Sequence, residues 1–148
     1  MSLSCVIQAR MGSTRLPGKV LQDLGGRPLL RFMLDRLQAL DADALVVATS
    51  DLPADDQVAA VAADAGVSVV RGPEADVLGR YGLALDAHPA DTVVRLTADC
   101  PLMDPALVAA VVARHREADA DYTCNVLPRT FPKGLDVEVV RAEALRTA

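Results

Sequence analysis

Short apolar runs alternate with longer amphipathic stretches along the whole chain. The first run, Cys5–Gln8, is continuous rather than alternating, which predicts a strand covered on both faces. Leu45–Thr49, Val67–Val70 and Val93–Leu96 have the same character. Between these runs the apolar positions take helical spacing. Leu29, Leu30, Met33, Leu34 and Leu37 predict a helix over 28–40, with Pro28 in its first turn. Val58, Val61 and Ala62 predict an inward face for a helix over 55–65, and Gly66 stands where a C-terminal glycine cap is expected. Asp76 predicts the N-cap of a helix over 77–87 with Leu78, Tyr81 and Leu85 on one side. Asp104-Pro105 opens another through Glu117, with Leu107, Val108, Val111 and Val112 inside. Tyr122–Asn125 and Leu135–Val140 carry weaker strand signals around a loop, Val126–Gly134, that holds two prolines and a glycine.

This repeated β–α alternation predicts an α/β fold with a mainly parallel sheet and helices on both faces. In such sheets ligands sit at the carboxyl ends of the strands. The loops after the first, second and fourth strands are therefore expected along one edge: Arg10–Lys19, Thr49–Asp51 and Thr97–Pro101. No internal repeat or linker divides the chain, so residues 1–148 read as one domain. A helical pattern starts at Ala142–Arg146 and stops, which predicts either a short terminal helix closing the domain or, the favoured reading, a domain truncated at its C-terminus.

Composition narrows the function. Hydrophobic residues make up 51% of 148, but aromatics only 3%, so Ala, Val and Leu must fill the core. A net charge of −5, no Trp and two each of Tyr and Phe argue against a nucleic-acid partner. No apolar run approaches the roughly 20 residues of a membrane span, and no signal-peptide pattern opens the chain. Cys5, Cys100 and Cys124 are odd in number and widely spaced. That fits a reduced protein, and a cytoplasmic location is the expectation.

Against this acidic background, Ala9–Lys19 concentrates two arginines, a lysine, two glycines and two hydroxyls directly after a buried strand. Glycine admits backbone N–H groups to a ligand, hydroxyls donate, and the cations neutralise phosphate charge. The loop lacks both the Walker A and the dinucleotide glycine patterns, which removes the usual support for kinase and hydride-transfer chemistry. Asp99, just past the fourth strand, suits a divalent cation shared with phosphate oxygens, since magnesium takes one or two carboxylates plus phosphates and water. A plain turn residue is the competing reading, but Asp104 already supplies the next helix cap. Asp136 and Glu138 alternate in Leu-Asp-Val-Glu-Val and so share one side of a strand. They either complete a metal or acceptor site or form the wet face of an edge strand. Arg71 and Arg80 flank the Asp76 cap and are further substrate candidates. His88 and His115 lack triad or zinc spacing and read as surface residues. Cys100 lacks a partner base and reads as a bystander thiol.

The stretch Ile7-Gln8-Ala9-Arg10-Met11-Gly12-Ser13-Thr14-Arg15-Leu16-Pro17-Gly18-Lys19 resembles the signature of cytidylyltransferases. So do Val47–Ser50, Arg71-Gly72 through Asp76–Tyr81, Arg95–Leu102 and Pro132–Val139. Within that group the chain looks most like the spore coat polysaccharide branch, related to CMP-sialate and CMP-KDO synthetases. The resemblance implies a three-layer αβα sandwich of the nucleotide-diphospho-sugar transferase type, Rossmann-like. It also implies transfer of CMP from CTP to a sugar or sugar acid with release of pyrophosphate. Arg10, Ser13, Arg15 and Lys19 are expected on the triphosphate, with Gly12 admitting the backbone. Ala9 and Thr49 are expected near base or ribose, and Asp99 on Mg²⁺. Arg10, Lys19 and Asp99 are then the catalytic set. Family members are longer, and a homodimer is usual among them. Two alternatives remain: a glycosyltransferase using a ready-made nucleotide-sugar, or a non-catalytic nucleotide-binding subunit. Ala98, in place of the first acid of an Asp-x-Asp motif, counts against the former.

Overall fold

The computed structural model describes residues 1–148. Six strands form one sheet: β1 (Leu3–Gln8), β2 (Ala44–Ser50), β3 (Ser68–Gly72), β4 (Thr92–Thr97), β5 (Tyr122–Cys124) and β6 (Glu138–Arg141). Their order is β3-β2-β1-β4-β6-β5. The four strands with continuous apolar sequence pair in parallel, and β6 joins β4 and β5 antiparallel. A mainly parallel sheet is thus observed, with one antiparallel flank.

Five helices cover it: α1 (Leu29–Leu37), α2 (Asp56–Asp64), α3 (Val77–Ala87), α4 (Pro105–Ala118) and α5 (Ala142–Thr147). On one face Cys5, Ile7, Val47, Val94 and Leu96 meet Leu30, Met33, Leu34 and Leu37 of α1, Val58 and Ala62 of α2, and Val108 and Val112 of α4. On the other face Val6, Val46, Ala48 and Val93 meet Tyr81, Ala84 and Leu85 of α3, with Ala142 at the start of α5. Odd and even positions of β1 therefore feed separate cores, the expected consequence of a strand buried on both sides. No helix is long and apolar enough to cross a membrane.

Local chemistry sets the boundaries. Asp76 accepts from the Gly79 N–H at 2.8 Å and Asp104 from the Ala106 N–H at 2.9 Å, so both caps form as the sequence suggests. Gly66 ends the α2 segment with φ +71°. Several expectations are corrected. Asp55 sits in a 3-10 turn, Pro53–Asp55, and α2 begins one residue later. In α3 the inner side runs through Arg80, Tyr81, Ala84 and Leu85, while Leu78 is exposed. His115 is buried against α4's neighbours rather than on the surface, because its Nδ1 lies 2.9 Å from the Thr123 hydroxyl of β5. Burial, followed by nearby Arg141 and Arg116, holds its pKa below the ordinary value.

Candidate functional site

The strand order reverses between β1 and β4, and the loops leaving their carboxyl ends part to leave a crevice there. A cleft of about 520 Å³ occupies this point. Its lining takes Arg10, Gly12, Ser13, Arg15 and Lys19 from the first loop, Thr97 and Asp99 from the end of β4, and Gln8 from the end of β1.

The first loop folds around its own backbone. The Met11 carbonyl accepts from the N–H groups of Ser13 (2.8 Å) and Gly18 (3.0 Å), and the Ser13 Oγ accepts from the Leu16 N–H at 3.2 Å. Gly18, at φ +72°, makes the left-handed turn that starts a 3-10 segment, Lys19–Leu21, anchored by buried Val20. The Met11 N–H donates to Asp55 Oδ1 at 2.7 Å, and the Ser50 hydroxyl donates to the other carboxylate oxygen. Asp55 is 2% exposed, so a buried carboxylate ties this loop to the end of β2. Gly12 answers to a neighbour as well as to any ligand: a Cβ there would stand 2.9 Å from Glu74 Oε1. That same oxygen accepts from Arg10 at 3.3 Å.

Across the cleft, the Thr97 hydroxyl donates to Asp99 Oδ1 at 2.6 Å. Lys19 Nζ lies 3.9 Å from Asp99 Oδ2. Arg15 has no protein partner, and Lys19 has only this long contact. A second cleft of about 590 Å³ at the opposite edge also holds arginines. Those are committed: Arg116 to the Met1 carbonyl, Arg141 to Asp119 and Arg146 to Asp86. The first cleft, by contrast, offers uncommitted side-chain positive charge to an incoming polyanion. Beside Asp99, Cys100 is buried, and burial, opposed in part by Thr97, raises its thiol pKa, consistent with a bystander.

No group of three or more His, Cys, Asp or Glu side chains gathers anywhere as a metal cage. Asp99 nonetheless fits a shared cation. Its side chain is about half exposed, one oxygen is held by Thr97, and the other meets only Lys19 at long range. Such a ligand suits magnesium completed by phosphate oxygens and water.

Other sequence candidates lie elsewhere or are already occupied. Ala9 is buried and donates its N–H to the Ala48 carbonyl. Thr49 is fully buried with an unpartnered hydroxyl, and Thr49–Asp51 contributes nothing to the cleft wall. Arg71 spends three donors on the Ser50 and Leu52 carbonyls and on Asp56, all at 2.8 Å. Arg80 is 1% exposed and donates Nη1 to the Pro73 and Glu74 carbonyls at 2.7 Å each, which fixes the backbone that presents Glu74. Asp136 precedes β6 rather than lying in it, and Arg129 holds it in a two-pronged pair at 2.6 and 3.1 Å. That hydrogen bond keeps the Asp136 carboxyl below the usual range. Glu138 is bound by Arg95 and by the Tyr122 hydroxyl. The two acids therefore form neither one metal site nor the face of an edge strand, since β6 is interior. The strand starts late because Asn125 bonds the Leu135 carbonyl (2.7 Å) and the Val137 N–H (2.9 Å) in place of a strand neighbour. Sequence reading missed Asp55 and Glu74, whose partners come from distant loops. Gln8 carried a faint signal, a polar residue closing an apolar strand.

Comparison with known proteins agrees with this arrangement. The family described as Cytidylyltransferase matches residues 4–148. The spore coat polysaccharide biosynthesis protein SpsF of Bacillus subtilis strain 168 is 41% identical over 145 residues, covering 95% of this chain and 59% of that protein. A 3-deoxy-manno-octulosonate cytidylyltransferase of Anaeromyxobacter dehalogenans is 39% identical over 113 residues, 74% of this chain and 46% of its own length. A solved cytidylyltransferase from Leptospira borgpetersenii superposes with TM-score 0.93 at 37% identity, over 99% of this chain and 63% of that one. The fold is also that of a CMP:2-keto-3-deoxy-manno-octonic acid synthetase solved with CTP, at TM-score 0.79 and 19% identity, over 99% of this chain and 77% of that one. The chain thus spans well under two thirds of the curated relatives it matches. With nearly all its residues matched and its cationic loop set at the sheet's switch point, the chain belongs to the cytidylyltransferase family.

Proposed function

We propose that the chain binds CTP and takes part in moving CMP onto a sugar or sugar acid, with release of pyrophosphate, for surface polysaccharide biosynthesis. The observation that carries this reading is the meeting of Lys19 and Asp99 across the cleft, 3.9 Å apart, with Arg10 and Arg15 beside them. An amine and a carboxylate at that spacing suit a triphosphate and its cation together.

In the proposed reaction an acceptor oxygen bonds to the α-phosphorus as the bond from that phosphorus to the pyrophosphate oxygen breaks. The acceptor's proton leaves to solvent or to a base. Little covalent work falls to the protein, whose task is positioning and charge neutralisation. Arg10, Arg15 and Lys19 hold the triphosphate and stabilise charge growing on the departing pyrophosphate. The Ser13 hydroxyl, an acceptor for Leu16, retains its own proton for a phosphate oxygen. Asp99, oriented by Thr97, is the residue that would hold Mg²⁺. When bound, the cation supplies further neutralisation of the phosphates. The choice of CTP is supported by the family and by the solved relative that contains it.

Thermal unfolding with CTP, ATP, GTP and UTP, each with and without magnesium, tests the reading. Stabilisation by CTP–magnesium above the other three is expected. Equal responses to all four nucleotides, or none to CTP, would overturn it.

A further inference from the structure

Gln8 is the last residue of β1 and stands in register with Thr97, whose hydroxyl holds Asp99. Its side chain lies on the α3 face of the sheet with Val6 and lines the cleft. The Gln8 Oε1 accepts from Arg95 Nη2 at 3.4 Å. Arg95 is itself gripped: it pairs with Glu138, and its guanidinium lies over the Tyr81 ring, 5.9 Å from the centroid. The second Glu138 oxygen accepts from the Tyr122 hydroxyl at 2.8 Å. A line of polar contacts thus runs through four strands, β5, β6, β4 and β1, and ends at the cleft.

The chemistry of that line fixes the amide. Arginine has donors only, so Gln8 must turn its oxygen to Arg95. Both amide N–H bonds then face away, and no protein atom accepts from them. A half-buried amide with two unmet donors, beside the tether of Asp99, suits a ligand oxygen.

We propose that Gln8 is a binding residue whose side-chain N–H group donates to a phosphoryl oxygen of the nucleotide, and that Arg95, Glu138 and Tyr122 are positioning residues that hold the amide in this orientation. The proposal rests on the nucleotide reading above. It differs from a bracing role, in which Gln8 serves only to occupy Arg95.

Two substitutions of similar length separate these roles. Gln8→Met removes both donors without adding charge. Gln8→Glu keeps an acceptor for Arg95 and strengthens that contact, yet presents no donor to phosphate. Titration calorimetry with CTP and magnesium is compared with Tm of the free protein. Loss of a hydrogen bond to a charged oxygen is expected to weaken CTP binding about tenfold or more in both variants. Free-protein Tm is expected to hold in Gln8→Glu. Arg95→Met, which frees the amide to flip, is expected to fall between wild type and Gln8→Met. Wild-type affinity in either Gln8 variant would overturn the proposal. If Gln8→Met does not fold, Gln8→Glu carries the test. Lys19→Ala in parallel keeps the two readings distinct: retained affinity there overturns the nucleotide reading, whereas its loss with intact Gln8 variants overturns this inference alone.

Discussion

Lys19 contributes charge to the cleft and little to the core, its side chain being 40% exposed beside Asp99. Lys19→Ala is expected to weaken CTP–magnesium binding about tenfold or more, since a charge-assisted contact to phosphate is lost. Unfolding free energy should stay within about 0.5 kcal/mol of wild type by urea titration, as for other surface changes. Asp99→Ala is expected to abolish the magnesium dependence of CTP binding, read in the same calorimeter with and without the metal. Asp55 behaves differently, because it is buried and its partners are a backbone N–H and a hydroxyl. Asp55→Ala strands the Met11 donor inside the protein and is expected to cost about 1–3 kcal/mol in urea unfolding. It should weaken CTP binding too, because the loop loses its tie to β2; unchanged affinity would separate loop anchoring from binding.

At the scale of elements, what could be read in advance divides by mechanism. β1, β2 and β4 were legible because a strand covered on both faces writes a continuous apolar run, and both Asp caps were legible because capping is local. The cap of α3 also positions the turn that bears Glu74, so Asp76→Ala is expected to cost about 1 kcal/mol of stability by thermal unfolding. Arg80 was illegible: a cation on an inner face becomes tolerable only when carbonyls of a folded turn come to meet it. His115 was hidden for the same reason, its partner Thr123 lying on β5 rather than on its own helix. The late start of β6 depends on one asparagine side chain standing in for a strand, which no periodicity encodes. In the cleft, the cationic loop and Asp99 could be named from composition and position, whereas the burial of Thr49, which keeps it out of the cleft wall, depends on packing that strand position does not encode.

At the scale of the whole molecule, strand order was the least legible property. Apolar patterning tells a strand how it is covered, not which neighbour it takes, so the insertion of β6 between β4 and β5 had no local signal. Titration is the other global property. Hydrogen bonds from Arg31 and Arg27 depress the Asp35 carboxyl, and those from Arg129 and Ser2 depress Asp136 and Asp91. Carboxyls lowered in the folded state add stability above their unfolded pKa, ordinarily 3.8, and lose it as pH falls through the lowered values. Acid unfolding followed by circular dichroism should therefore show wild type declining below about pH 4, with a shallower decline in Asp35→Asn. At the alkaline end, burial pushes the Cys5 thiol from 9.0 up to about 12. A raised folded value gives stability that is complete below pH 9.0 and drains as pH climbs toward 12. Cys5→Ala should flatten that alkaline decline in chemical denaturation even though it lowers stability at neutral pH.

The facing amine and carboxylate have one more effect. Seen from a distance, Lys19 and Asp99 cancel, so an isolated small anion or a bare metal ion finds no net charge in this pair. A polyphosphate escorted by its own counter-cation can satisfy both at once and separate them. If the cleft takes a nucleotide as proposed, the pair would select by the pattern of charge, and inorganic phosphate should prove a poor competitor of CTP where pyrophosphate with magnesium succeeds.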